Sequence, residues 1–285
     1  MNIYGTIGYT LLEHNINKNK IFILADMHDT LPPCKKSEIP QVNVAEWFKK
    51  KFETSDIFLE EVPRENFSLK ELWSHSEHTQ ELKNLYLENS KIIHALDIRP
   101  FLIPFSWEVL DTNDIKIEYN ITLREYLKGI NTFFILDSPY LLKVLYNYKK
   151  DKIKNTEIGN HYLKLKKLFY NLLYVCKNLL KLNMYTIKEV HNNVLEQVND
   201  LLNAIMEWFI CAKIQQSLEK KKNRPIIIHA GLFHSDSVIN WLVKNYNYNV
   251  IKNQGIVSME DSMMKRENGC IHVKDEINKL FGGKK

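Results

Sequence analysis

Apolar residues fall in two rhythms along this chain. In the first, short runs recur between turn-forming residues. Residues 3–12 form one run, broken by Gly5 and Gly8, and residues 21–25, 57–59, 92–96 and 226–228 form four more. Runs of this length, bounded by Gly, Pro, Asn and Asp, read as buried strands. Between them lie helical patterns. Val44, Trp47, Phe48 and Phe52 share one face of a helix expected over residues 42–52, and a polar helix is expected over residues 69–87. Pro32 and Pro33 mark a loop, and Pro63 stops the strand before it. Strands that alternate with helices predict an α/β fold with a central, mostly parallel sheet flanked by helices.

The second rhythm begins after Trp107. From about Thr122 to Lys220 the apolar positions recur at helical spacing. One segment sets Leu165, Leu168, Leu172, Val175 and Leu179 on one stripe. Another sets Val194, Val198, Leu201, Ile205, Phe209 and Ala212 on one stripe. The pattern predicts a large all-helical insertion over residues 106–223. It interrupts a core built from residues 1–105 and 224–285, within a single domain overall. Lysines decorate the other faces of the first segment. Such a helix can lie on a membrane, but packing against neighbouring insertion helices is the preferred reading. At the return to the core, Arg224 and Pro225 open a strand. Gly231 then turns the chain, and Ser235 is expected to cap a helix with Val238, Trp241 and Leu242 on its buried face.

Composition changes this picture little. With 285 residues, 45% hydrophobic and 26% charged, the chain is ordinary for a globular protein. Its net charge is +5, but among 39 basic residues only Arg64, Arg99, Arg124, Arg224 and Arg266 are arginines. Sites that read bases or clamp phosphates favour the planar arginine fork, so no specific nucleic-acid recognition is expected. Cys34, Cys176, Cys211 and Cys270 show neither metal-ligand spacing nor a disulfide framework. Cys176 and Cys211 read as core thiols, and the set suits a reducing compartment. The first fifteen residues lack a basic start followed by an apolar run, and no stretch is long enough to span a bilayer. A cytoplasmic protein acting on a small-molecule or peptide substrate is the expectation, with oligomeric state left open.

The chemistry gathers where the strands end. Asp26 and His28 follow the second run, Glu60 and Glu61 the third, Asp97 and Arg99 the fourth, and His229 and His234 the last. Parallel strands bring their carboxyl ends to one edge, which is where α/β proteins place their sites. Side chains alternate along a strand, so Asp26 and His28 point the same way, and so do Asp97 and Arg99. If Leu24 faces the core, Asp26 and His28 continue that face. His234 falls at or before the first turn of a helix, where the dipole favours a neutral imidazole. Two mechanisms fit. His28, His234, Asp26 and Glu60 can hold a divalent cation (Zn, Mn, Fe or Co), whose bound water ionises near neutral pH. Alternatively, His28 or His234 acts as general base on water without a metal, oriented by Asp26 or Glu60. The Asp97–Arg99 pair is expected to brace the site. His94 reads as a core histidine and the His75/His78 pair as a wet helix face. His14, His161, His191 and His272 show no partner pattern.

These residues resemble the superfamily joining erythromycin esterases, haem-binding ChaN-type lipoproteins and TIKI/TraB-type proteins. "LADMH" is similar to its early motif, carried here by Asp26 and His28. "FLEE" supplies Glu60, "LDIRP" the Asp-x-Arg, and "HAGLFH" supplies Gly231 and His234. Ala25 stands where the family carries Gly, and Asp26 where several members carry Glu. The resemblance covers about residues 21–104 and 224–250 and leaves the helical middle unexplained. It implies hydrolysis, of an ester, amide or phosphoester, with or without a metal. A non-catalytic member that binds a small ligand or a host factor is the alternative it allows. The Lys-, Asn- and Ile-rich composition is also similar to that of proteins encoded by large AT-rich DNA viruses, which would place the chain in host cytoplasm or a virion. A calcineurin-like phosphoesterase, suggested by Asp26-x-His28, lacks its further glycine-bearing motifs here.

Overall fold

Four hydrophobic runs form the parallel heart of a six-stranded sheet. The structure, a computed structural model, describes residues 1–27, 34, 39–63, 77–102, 123–135, 156–177, 192–220, 224–264 and 269–282. Strands β3 (Lys20–Asp26), β5 (Asp56–Leu59), β6 (Ile93–Ala95) and β7 (Ile226–Gly231) pair in parallel. Strands β2 (Gly8–His14) and β8 (Tyr248–Gly255) add antiparallel partners, giving the order β6-β5-β7-β3-β2-β8. A second sheet of three strands sets β1 (Asn2–Tyr4) between β4 (Gln41–Asn43) and β9 (Cys270–His272). The central strands read as continuous apolar runs because both of their faces are covered. All seven residues of β3 except Lys20 are buried, as are all six of β7.

Helix α1 (Val44–Lys49) follows β4 directly. The Asn43 side chain accepts from Ala45 N at 2.7 Å and caps it. Val44, Trp47 and Phe48 enter the main core with Phe22, Leu24, Ile57 and Ile227. Helix α2 (Glu77–Glu88) adds Leu82, Leu85 and Tyr86 to that core, and the carboxyl-terminal helix α9 (Asp275–Leu280) adds Ile277. On the other face of the sheet, Ala25 packs with Leu232, the first residue of helix α7 (Leu232–Asn245). The short helix α8 (Met259–Met264) follows β8.

The chain divides into two compact units. One comprises Met1–Ser68, Ser74–Leu96 and Lys213–Lys285, and the other Leu69–Trp73 and Asp97–Ala212. The described part of the second unit is helical: α3 (Arg99–Leu102), α4 (Leu123–Ile135), α5 (Glu157–Val175) and most of α6 (Asn192–Lys220). Its core is aromatic. Phe134 stacks on Phe169 at 5.0 Å, Phe133 meets Trp208 edge-on at 5.5 Å, and the Trp208 indole donates to Ile158 O at 2.9 Å. The α6 stripe read from sequence, Val194 to Ala212, is buried throughout. The α5 stripe is not the one expected. Leu165 and Leu172 are buried, but Leu168 and Val175 are exposed, and Ile158, Phe169 and Cys176 take their places. The aromatic partners of Phe169 rotate the helix away from the leucine count. Leu179 lies outside the described residues.

Two expectations about the turns and cysteines are corrected. Gly231 does not use glycine's conformational freedom: the strand runs through it at φ −53° and ψ 147°, and the helix starts at once. Ser235 is therefore inside the first turn, where its hydroxyl donates to Ala230 O rather than capping. Cys34 and Cys270 form a disulfide across 236 positions. Cys270 is carried there by β9, opposite Tyr4 of β1, a pairing that local spacing does not reveal. With one pair bridged, the four cysteines do not point to a reducing compartment. Cys176 and Cys211 are free and buried, as read.

Candidate active site

At the carboxyl edge of the sheet, β3, β7 and β5 end side by side. Asp26 closes β3 and lies level with Gly231 at the end of β7. Glu60 is the residue after β5, and its N–H donates to His229 O in β7. Glu60 Oε2 accepts from the Gly231 N–H at 2.5 Å. Glu60 and Gly231, 171 positions apart, therefore meet at one peptide group, with Asp26 ending the neighbouring strand.

Each carboxylate faces an imidazole. Asp26 is fully buried on the face of Phe22 and Leu24, and its Oδ1 lies 2.9 Å from His78 Nε2. The same oxygen accepts from Met27 N at 2.8 Å. Glu60 Oε1 lies 3.6 Å from Nε2 of His234, the third residue of α7. That spacing is an ion-pair distance, longer than a hydrogen bond. Alternation along β3 and β7 puts Asp26 and His78 toward the α1 and α2 side, whereas α7 carries His234 on the opposite side. The two pairs share the sheet edge and flank Gly231 from its two faces.

The turn between β1 and β2 supports this edge. Thr6 Oγ1 donates to Ala25 O at 2.7 Å. Gly5 has φ +87°, and a Cβ there would stand 2.8 Å from the Cβ of His78. Only glycine fits both the backbone and the space. The Gly5 carbonyl is also 3.3 Å from His229 Nε2, and the His229 ring meets Phe48 edge-on. His229 is thus a buried support for the turn.

The other sequence candidates fall as follows. Glu61 is buried rather than solvated. Asp97 and Arg99 belong to the second unit, where the guanidinium grips the carboxylate through Nε at 2.8 Å and a terminal nitrogen at 3.0 Å. Arg99 also donates to Asn203 Oδ1 at 2.9 Å. The pair braces α3 to α6. His94 packs on Phe58 at 4.6 Å. His14 accepts from the N–H groups of Ile16 and Asn17 in a turn, and His272 pairs with Asn2. Burial, aided by Lys164, holds the His161 imidazole down at about 4. His28, His75 and His191 lie outside the described residues.

Sequence reasoning missed His78, which was assigned to a wet helix face. It is 5% exposed and pairs with Asp26. The signal was available: His78, Leu82 and Leu85 recur at helical spacing, so the histidine extends the buried stripe of α2.

His28, one of the four residues read as cation ligands, lies outside the described residues. Among the described residues no group of three or more His, Cys, Asp or Glu stands close enough to hold an ion. The chemistry the edge offers is carboxylate-oriented imidazole. Helix α7 adds a second feature: its N-cap, Gly231, supplies no side-chain cap. The positive end of the helix dipole therefore lies at His234.

No family model, curated protein or solved structure matches the chain. Among the described residues no helix is long and apolar enough to cross a membrane.

Proposed function

We propose that the chain is a hydrolase whose site lies at the carboxyl edge of the sheet, with an imidazole as its base. The observation that carries this reading is the pair of imidazole–carboxylate contacts, Glu60–His234 and Asp26–His78, set on either side of Gly231. Gly231 N–H fixes one oxygen of Glu60, so the other is aimed at His234. His234 takes a proton from water as the water attacks the carbonyl carbon or phosphorus of an ester, amide or phosphoester, Glu60 stabilises the imidazolium that forms, and the imidazolium returns the proton to the leaving oxygen or nitrogen as the scissile bond breaks. A positioned base of this kind contributes roughly 10²–10⁴-fold. The amino end of α7 turns the positive end of its dipole toward the developing anion. Asp26 holds His78 on the other side, keeping the β3 end and the Gly5 turn in place. The resemblance to the erythromycin esterase and TIKI/TraB superfamily supports the same reaction class.

The test is hydrolysis of p-nitrophenyl esters and p-nitrophenyl phosphate by the wild-type chain, His234→Ala and Glu60→Gln. The reading expects turnover of at least one substrate and its loss in both variants, with thermal midpoints kept. Variants as active as the parent contradict it. A second reading, a non-catalytic ligand-binding member of the same fold, draws on the burial of both histidines, at 5% and 6% exposure. It expects no turnover, with ligand-dependent stabilisation instead.

A further inference from the structure

Helix α5 carries two apolar stripes, and among the described residues only one is packed. Ile158, Leu165, Phe169 and Leu172 face the core of the helical unit. Leu163, Tyr170 and Tyr174, spaced by seven and four, fall on the opposite side of a helix with 3.6 residues per turn. They are 62%, 49% and 77% exposed. Leu168 and Val175 add exposed aliphatic surface between the stripes, at 55% and 57%.

The charges beside Leu163, Tyr170 and Tyr174 are lysines, and the helix's one acidic residue, Glu157, opens it. Lys164, Lys167 and Lys177 are exposed, and Lys166 sits over the Tyr170 ring at 6.0 Å. No aspartate or glutamate occurs between residues 158 and 177. A helix with one buried stripe, an outer stripe of leucine and tyrosine, and four lysines against one glutamate is complementary to a negatively charged, apolar-backed surface.

We infer that α5 docks the protein on an anionic lipid surface. The lysines meet the head groups, and Leu163, Tyr170 and Tyr174 enter the boundary between head groups and acyl chains. The aliphatic groups decide between lipid and nucleic acid. Leu163, Leu168 and Val175 gain nothing against a sugar–phosphate backbone, and the face carries no arginine for phosphate or base edges. This docking is independent of the hydrolase reading.

The test is flotation of the full chain with vesicles of phosphatidylcholine alone, or with about one-third phosphatidylserine, at ~0.1 M and ~0.5 M salt. The chain is expected on the anionic vesicles at low salt and released at high salt. Lysine near such a surface is worth roughly fivefold, so Lys164→Glu with Lys167→Glu should weaken binding by at least about 25-fold. Leu163→Ser with Tyr174→Ser should weaken it by about tenfold through lost apolar burial. All four positions are exposed, so the fold is kept, which circular dichroism checks. Equal binding to neutral vesicles, unchanged binding by either double variant, no vesicle binding, or capture by a single-stranded oligonucleotide in place of vesicles would each overturn the inference.

Discussion

Asp56 and Glu60 stand at opposite ends of one strand, and their partners divide two kinds of buried carboxylate. At the amino edge, Asp56 meets Arg224 Nε at 3.0 Å and accepts from the Ser217 hydroxyl. Arg224 in turn reaches the carbonyl of Ser55 at 3.0 Å. At the carboxyl edge, Glu60 meets a backbone N–H and His234. Arg224 and Gly231 bracket the same strand, β7. A guanidinium never releases its proton at working pH, so the amino edge can only hold the strands together. An imidazole can both take and give a proton, so under the proposed reading the carboxyl edge serves as a base. The strands are shared, and the partners set the role.

The largest effect should separate the edges by activity. Glu60→Gln keeps the shape but removes the charge that steadies His234, and should lower hydrolysis by roughly 10²–10³-fold with little change in urea midpoint. Asp56→Ala should do the reverse. It strands Arg224, which is partly exposed, and should cost about 3 kcal/mol in urea unfolding with kcat unchanged. Next is Gly5→Ala. Its positive φ and the contact with His78 should cost about 2 kcal/mol, and should disturb the His78 ring resonances in NMR spectra before those of His94.

The smallest effect concerns Lys51, which is 1% exposed and donates to Asn278 Oδ1 at 2.6 Å. Burial, with Lys50 nearby, pushes its ammonium from 10.5 down to about 8. The folded state therefore releases this proton before the unfolded state does. Stability should rise between about pH 8 and 10.5, by at most about 1.4 kcal/mol per pH unit, and the destabilising charge is fully present below that window. Urea midpoints across this range should show the rise in the parent and not in Lys51→Met. A fall over the same range would contradict the assignment.

The parallel core was legible because its strands are buried on both faces and so read as unbroken apolar runs. The edge strand β8, "YNVIKNQG", has only its first residue buried, and its pattern gives no such signal. Strands β4 and β9 have three residues each and owe their existence to β1 between them. Asp26, Glu60 and His234 were legible as candidates because a polar residue at the end of a buried run is conspicuous. Their order around Gly231 was not, since it depends on β7 inserting between β3 and β5. His78 was hidden by the polar sequence around it, and the Cys34–Cys270 bridge by its length along the chain.

The most direct test of the hydrolytic edge is imidazole rescue of His234→Ala with a p-nitrophenyl ester on which the parent is active. The account predicts lost turnover that added imidazole restores, with the restored rate again requiring Glu60. Unchanged turnover in His234→Ala, or a loss that imidazole leaves untouched while the variant stays folded, would contradict it.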